Sequence, residues 1–174
     1  METWKLENEA PAYNGWIKVL RRTYTLPDGH SSDWDVMAGT RTVAIVARTT
    51  DNRFILARQF RPGPAAVLDE LPGGYVDEGE EVVEAACREL LEETGYRPER
   101  ATLIGSSWLA ANAAVRRHVV FADGCQSVAL PTPGPDEATE VVLMSQEDFV
   151  AHVRAGDLTD QDCAYRVLDF LGLL

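Results

Sequence analysis

The sequence predicts an α+β sandwich, on three observations. Segments with strand character are numerous and short. Only three stretches suit helices. Those three do not alternate strictly with strands, which argues against a doubly wound parallel sheet. A chain of 174 residues is one domain by default and can bury a sizeable core. An apolar fraction of 45% and a charged fraction of 25% suit a globular protein.

Residues 1–40 form a β-rich segment ahead of a core at 41–174. Within it, Trp16-Ile17-Lys18-Val19-Leu20 and Thr23-Tyr24-Thr25-Leu26 read as short strands, and Pro27-Asp28-Gly29 reads as a turn. Arg41–Arg48, RTVAIVAR, is a β-branched apolar run with the character of a buried strand. Asp51-Asn52 supplies a turn into a second strand, Arg53–Phe60, so the two form a hairpin. Pro62-Gly63-Pro64 breaks regular structure, and Leu68–Leu71 reads as a short strand leading to Pro72-Gly73-Gly74. From Glu80 to Thr94, Val82, Val83, Ala86, Cys87 and Leu90 give a helical apolar stripe, ended by Gly95. Thr102–Leu109, Arg117–Ala122 and Thr139–Met144 read as further strands. Residues 131–135, PTPGP, form a loop expected to be mobile. Ser145 caps a helix with Asp148 three positions on, and a last helix runs from Asp160 to Leu171.

A net charge of −12 argues against affinity for nucleic acid or an anionic membrane. It does not oppose a small phosphate ligand, provided that arginines or a metal sit nearby. Cys87, Cys125 and Cys163 are odd in number and widely spaced, as in a reduced compartment. The N-terminal residues METWKLENEA lack an apolar signal core, and no apolar run is long enough to span a bilayer. A cytoplasmic enzyme or binding protein is expected.

The stretch Gly74–Tyr96, GYVDEGEEVVEAACRELLEETGY, carries eight acidic residues. On a helix, Glu89, Glu92 and Glu93 stand at i, i+3 and i+4 on one face. Their repulsion is offset either by water, as on most charged helix faces, or by a hard divalent cation with oxygen ligands.

The flanking residues favour the cation. The segment resembles the Nudix box, with Gly74, Glu80, Arg88-Glu89, Leu90, Glu92-Glu93, Gly95 and Tyr96 at its spacing. The resemblance implies an α/β/α sandwich with a mixed sheet. It implies Mg²⁺- or Mn²⁺-dependent hydrolysis of a nucleoside diphosphate linked to another moiety. By the same resemblance Glu89 and Glu93 are metal ligands, with Glu92 a third and the Gly73 carbonyl a further one. Arg88 orients the carboxylates and Glu80 pairs with Arg88. Gly74 and Gly95 serve the motif's backbone.

The strand end Arg58-Gln59-Phe60-Arg61-Pro62 and the segment Leu68-Asp69-Glu70-Leu71-Pro72-Gly73-Gly74 look like the ADP-ribose pyrophosphatase branch of that family. This likeness implies that Arg61 and Glu70 face substrate. It implies a homodimer built partly from residues 1–40, with an aromatic among Trp16, Tyr24 and Trp34 stacking on adenine; core or interface packing is the plainer role for each. Arg116 or Arg117 would face the phosphates, while His118 reads as a packed residue. The general base would be a loop glutamate, Glu137 first and Glu140 second, with Glu92 as the alternative inside the box. The segment Trp108–Val115 has no proline where many members of the branch carry one. GDP-mannose or another nucleotide sugar is therefore the alternative substrate, and a non-catalytic nucleotide-sugar sensor the alternative of another class.

Overall fold

The computed structural model describes residues 1–132, 134 and 138–174. Among them the elements run β1 (Lys5–Asn14), β2 (Lys18–Thr25), β3 (Ser31–Ala38), β4 (Thr42–Thr49), β5 (Phe54–Arg61), β6 (Ala66–Glu70), β7 (Gly73–Tyr75), α1 (Val82–Thr94), β8 (Tyr96–Arg97), β9 (Arg100–Trp108), β10 (Ala113–Ala114), β11 (Arg116–Ser127), β12 (Thr139–Met144), α2 (Gln146–Ala155) and α3 (Gln161–Phe170). The chain divides into two compact units. One is Met1–Arg41 with Ser107–Arg117, the other Thr42–Ser106 with His118–Leu174.

The first unit is a four-stranded sheet in the order β1-β2-β3-β10, antiparallel except for the short parallel pairing of β10 with β3. Its strands differ from those expected. The two pieces around 16–20 and 23–26 are largely one strand, β2, and Trp16 lies in the bend before it. The acidic N-terminus is itself a strand. Cross-strand charge pairing explains both differences. Arg22 meets Glu9 at 2.6 Å, Thr25 donates to Glu7 at 2.9 Å, and Arg21 meets Asp35 at 3.0 Å. Gly29, at φ 84°, closes the turn into β3, donating its N–H to the Leu26 carbonyl.

The second unit is an eight-stranded sheet in the order β12-β5-β4-β11-β8, with β6 on β5, β7 on β4 and β9 on β11. Period-two alternation divides its apolar residues between two faces. Val43, Ile45 and Ala47 of β4, with Ile55, Val120 and Ala122, pack on Val82, Ala86 and Leu90 of α1. Ala44 and Val46, with Phe54, Leu56, Val119 and Phe121, pack on Phe149, Val153, Val167 and Leu168 of α2 and α3. Both faces are covered, so the central strands are nearly continuous apolar runs. Phe54 and Phe149 stack at 4.2 Å between centroids. This is an α+β fold with helices on both faces of the sheet.

The helix ends follow local chemistry. Ser145 Oγ accepts the Asp148 N–H at 3.1 Å and caps α2. Gly95, at φ 74°, ends α1 by donating to the Leu91 carbonyl. A side chain there would meet the Ala129 carbonyl 2.1 Å away, so only glycine fits. Burial pushes the Cys125 thiol up to about 12, which makes it a packing residue rather than a nucleophile.

Candidate active site

The acidic face of α1 is organised by one arginine. Arg88 grips Glu80 with two bonds, Nε to Oε1 at 2.9 Å and Nη2 to Oε2 at 3.0 Å. Its Nη1 reaches Glu89 at 2.7 Å and Glu92 at 3.3 Å, and its Nη2 also donates to the Tyr75 carbonyl at 3.0 Å. The Glu80 carboxylate above all, then Glu89, holds this guanidinium protonated far above its ordinary value. Glu80 also accepts the Asp77 N–H at 3.0 Å, closing the loop before the helix. A planar fork with five donors suits such a hub, and lysine could not replace it.

Glu93 takes a different partner. It is buried, and its Oε2 accepts the Gly73 N–H at 3.1 Å. The bond links the last turn of α1 to β7, which pairs with β4 through Gly73 and Ala44. Gly73 lies so close to β4 that a Cβ would sit 2.2 Å from the Val43 carbonyl. At Gly74 a Cβ would sit 2.5 Å from Glu89 Oε1. The two glycines thus bring backbone against the carboxylates of the helix.

The residues fit a hard divalent cation. Glu89, Glu92, Glu93 and the Gly73 carbonyl are all oxygen donors, the chemistry that Mg²⁺ and Mn²⁺ take. The glutamates are graded in access, with 5% of Glu93, 15% of the Glu89 side chain and 45% of the Glu92 side chain exposed. In this arrangement no three acidic, histidine or cysteine side chains among the described residues converge as a metal centre. Arg88 gathers Glu89 and Glu92 instead.

Arg61, at the end of β5, is about one-third exposed, and its Nη2 reaches Glu70 Oε2 at 3.3 Å. Glu70, expected to face substrate, makes its contacts inside the protein. It is fully buried, and Thr159 donates to it through both N–H, at 2.9 Å, and hydroxyl. Glu140 is exposed on β12 opposite Arg58, which pairs with Asp69 at 2.7 Å. Glu137 lies outside the described residues. His118 accepts or donates one bond through Nδ1 to Ser106 Oγ at 2.8 Å, as a packed residue does.

In the first unit, Tyr24 and Trp34 line a cavity of about 710 Å³ together with Trp4, Trp108, Arg22 and Asn112. Trp4 packs on Trp34 at 5.7 Å and edge-on to Tyr24 at 6.1 Å. Arg116 lies over the Trp108 ring at 4.7 Å, a cation–π contact. Arg117 is half-buried. Trp16 is 89% exposed and does not line this cavity. Neither periodicity nor motif in the sequence marks Trp4 or Trp108 as lining this cavity.

A family model described as NUDIX domain matches residues 38–167. The chain is similar to an ADP-ribose pyrophosphatase of Bacillus subtilis (strain 168), 30% identical over 144 residues that cover 82% of this chain and 78% of the relative. It is similar to an ADP-sugar pyrophosphatase of Mus musculus, 29% identical over 157 residues covering 80% and 72%. Its fold is similar to that of an ADP compounds hydrolase in a crystal structure, with a TM-score of 0.83 at 20% identity over 100% of this chain and 98% of that one. The chain therefore belongs to the Nudix family and is a pyrophosphohydrolase of the α+β class. No helix among the described residues is long and apolar enough to cross a membrane.

Proposed function

We propose that this enzyme hydrolyses ADP-ribose to AMP and ribose 5-phosphate with Mg²⁺, Mn²⁺ serving as an alternative. The carrying observation is the carboxylate set of α1, ordered by Arg88 and tied through Glu93 to Gly73. The relatives named for ADP-ribose and ADP-sugars support the substrate. When bound, the cation neutralises the pyrophosphate and lowers the pKa of water. Glu89, Glu92, Glu93 and the Gly73 carbonyl would hold it. Arg61 binds a phosphate or ribose oxygen. One arginine of Arg116 and Arg117 faces the phosphates, and Tyr24 or Trp34 stacks on adenine.

Glu137 takes the proton of water as its oxygen bonds to one phosphorus of the pyrophosphate; the bridging P–O bond at that phosphorus breaks, and the other phosphate leaves with the bridging oxygen. Support comes from the described residues on either side of it. The Thr132 N–H donates to the Glu92 carbonyl at 2.7 Å, and Thr139 Oγ1 donates to the Glu93 carbonyl at 3.3 Å. Thr132 and Thr139, five residues before and two after Glu137, are thus both bonded to the turn that carries the proposed metal ligands. A second reading, hydrolysis of GDP-mannose or another nucleotide sugar, is favoured by the proline-free segment Trp108–Val115.

A panel of ADP-ribose, ADP-sugars, GDP-mannose and nucleotide triphosphates, read by phosphate release after phosphatase coupling, tests the substrate. ADP-ribose should show the highest kcat/KM, and chelation should abolish turnover. Preference for GDP-mannose would favour the second reading. Undiminished turnover in chelator would overturn the metal, and tight binding without turnover would identify a sensor.

We also propose a homodimer in the cytoplasm. Strand β1 is a ten-residue edge strand, exposed at every position, and Leu6, Tyr13, Trp16 and Ile17 add exposed apolar surface. Three cysteines without a disulfide suit a reducing compartment. Light scattering at micromolar concentration should give twice the 19.2 kDa chain mass. A single-chain mass would rule the dimer out.

A further inference from the structure

We infer that Thr159, in the turn between α2 and α3, is a positioning residue for Arg61 and acts through the buried carboxylate of Glu70. The inference rests on the proposed role of Arg61 in substrate binding. Glu70 is the pivot. It has no exposed surface, and a buried carboxylate persists in charged form only when its oxygens are bonded. Thr159 N–H donates to Oε1 at 2.9 Å and Thr159 Oγ1 donates to Oε2. Arg61 Nη2 reaches that same Oε2 at a longer 3.3 Å. Thr159 therefore holds the carboxylate more closely than Arg61 does.

Arg61 depends on the pivot. Its Nε is sealed from solvent and has no hydrogen-bond partner among the described residues. Glu70 is its one salt-bridge partner among them. The direction of the guanidinium thus follows from where Glu70 Oε2 stands, which follows from Thr159. The turn that carries Thr159 is itself anchored. Leu158 is buried, and His152 Nε2 bonds the Asp69 carbonyl at 2.8 Å, one residue before Glu70. Helices on the far face of the sheet from α1 thereby set the aim of an arginine at the end of β5. A phosphate-binding guanidinium works only in a narrow range of orientations, because its donors form a rigid fork.

The test is kinetic, with the best substrate of the panel above at saturating Mg²⁺. Thr159→Val keeps the shape and the backbone N–H and removes the hydroxyl donor. It should raise KM about 5- to 10-fold with kcat within about 2-fold, as the loss of binding that ground state and transition state share equally does. Thr159→Ser should restore KM, which a packing role for the threonine methyl would not allow. Glu70→Gln, acting at the other end of the bond, should raise KM likewise and keeps the test decisive if Thr159→Val does not fold. Combined with Arg61→Ala, Thr159→Val should add nothing further, since the two act as a unit. An unchanged KM in Thr159→Val, or additive losses in the double variant, would overturn the inference while an elevated KM in Arg61→Ala left the reading of Arg61 intact. An unchanged KM in Arg61→Ala would overturn that reading and the inference together.

Discussion

Glu93→Gln should lower kcat by roughly 10³-fold, the size of a lost electrostatic stabiliser of the transition state, and weaken Mg²⁺ binding in parallel. The amide oxygen of glutamine can still accept the Gly73 N–H, now at 3.1 Å from Glu93 Oε2. The tie between α1 and β7 is therefore retained, while the charge is removed and the other carboxylate oxygen becomes an amide donor. Thermal unfolding should change little beside the catalytic loss. Metal titration by calorimetry, run beside the kinetics, checks the link. Full Mg²⁺ affinity in an inactive variant would assign Glu93 to proton transfer instead of metal binding.

Glu137→Gln should cost about 10²–10⁴-fold in kcat, the usual contribution of a general base, with Mg²⁺ affinity nearly unchanged. The comparison is Glu140→Gln. Glu140 is exposed on β12, opposite Arg58 in register. An exposed charge pair there contributes little, so this variant should stay within about 2-fold of the parent. Reversed outcomes would move the base to Glu140. If neither variant is impaired, the base lies within the box, and Glu92, the most exposed glutamate of the α1 cluster at 45% of its side chain, becomes the next residue to replace.

Much of the fold was legible because it repeats locally. The run 41–48 announced a strand covered on both faces, and β4 is that strand. The stripe Val82, Ala86, Leu90 announced α1 and its buried side. Gly95 and Ser145 announced helix ends through backbone and capping chemistry that involve neighbouring residues alone. The N-terminal strands were less legible. β1 and β2 carry Glu7, Glu9, Arg21 and Arg22, charges that look like solvent-facing polarity until the opposite strand supplies their partners.

By itself the sequence determined the residue types of the site and their spacing along one helix. Glu89, Glu92 and Glu93 share a face because 3.6 residues make a turn, whatever surrounds them. The Arg88–Glu92 contact follows the same i, i+4 spacing, whereas the pairing of Arg88 with Glu80, which lies before α1, was expected from the family resemblance alone. The tertiary structure alone decided that Glu93 binds the Gly73 N–H, that Thr132 and Thr139 bond carbonyls at the end of α1, and that Glu70 is closed off by Thr159. Those bonds join residues up to 89 positions apart. Several use backbone groups, which every residue carries, or a threonine hydroxyl, which many surface positions carry. Such contacts leave no period, charge pattern or spacing in the chain, and they exist only once the sheet has brought its strand ends together.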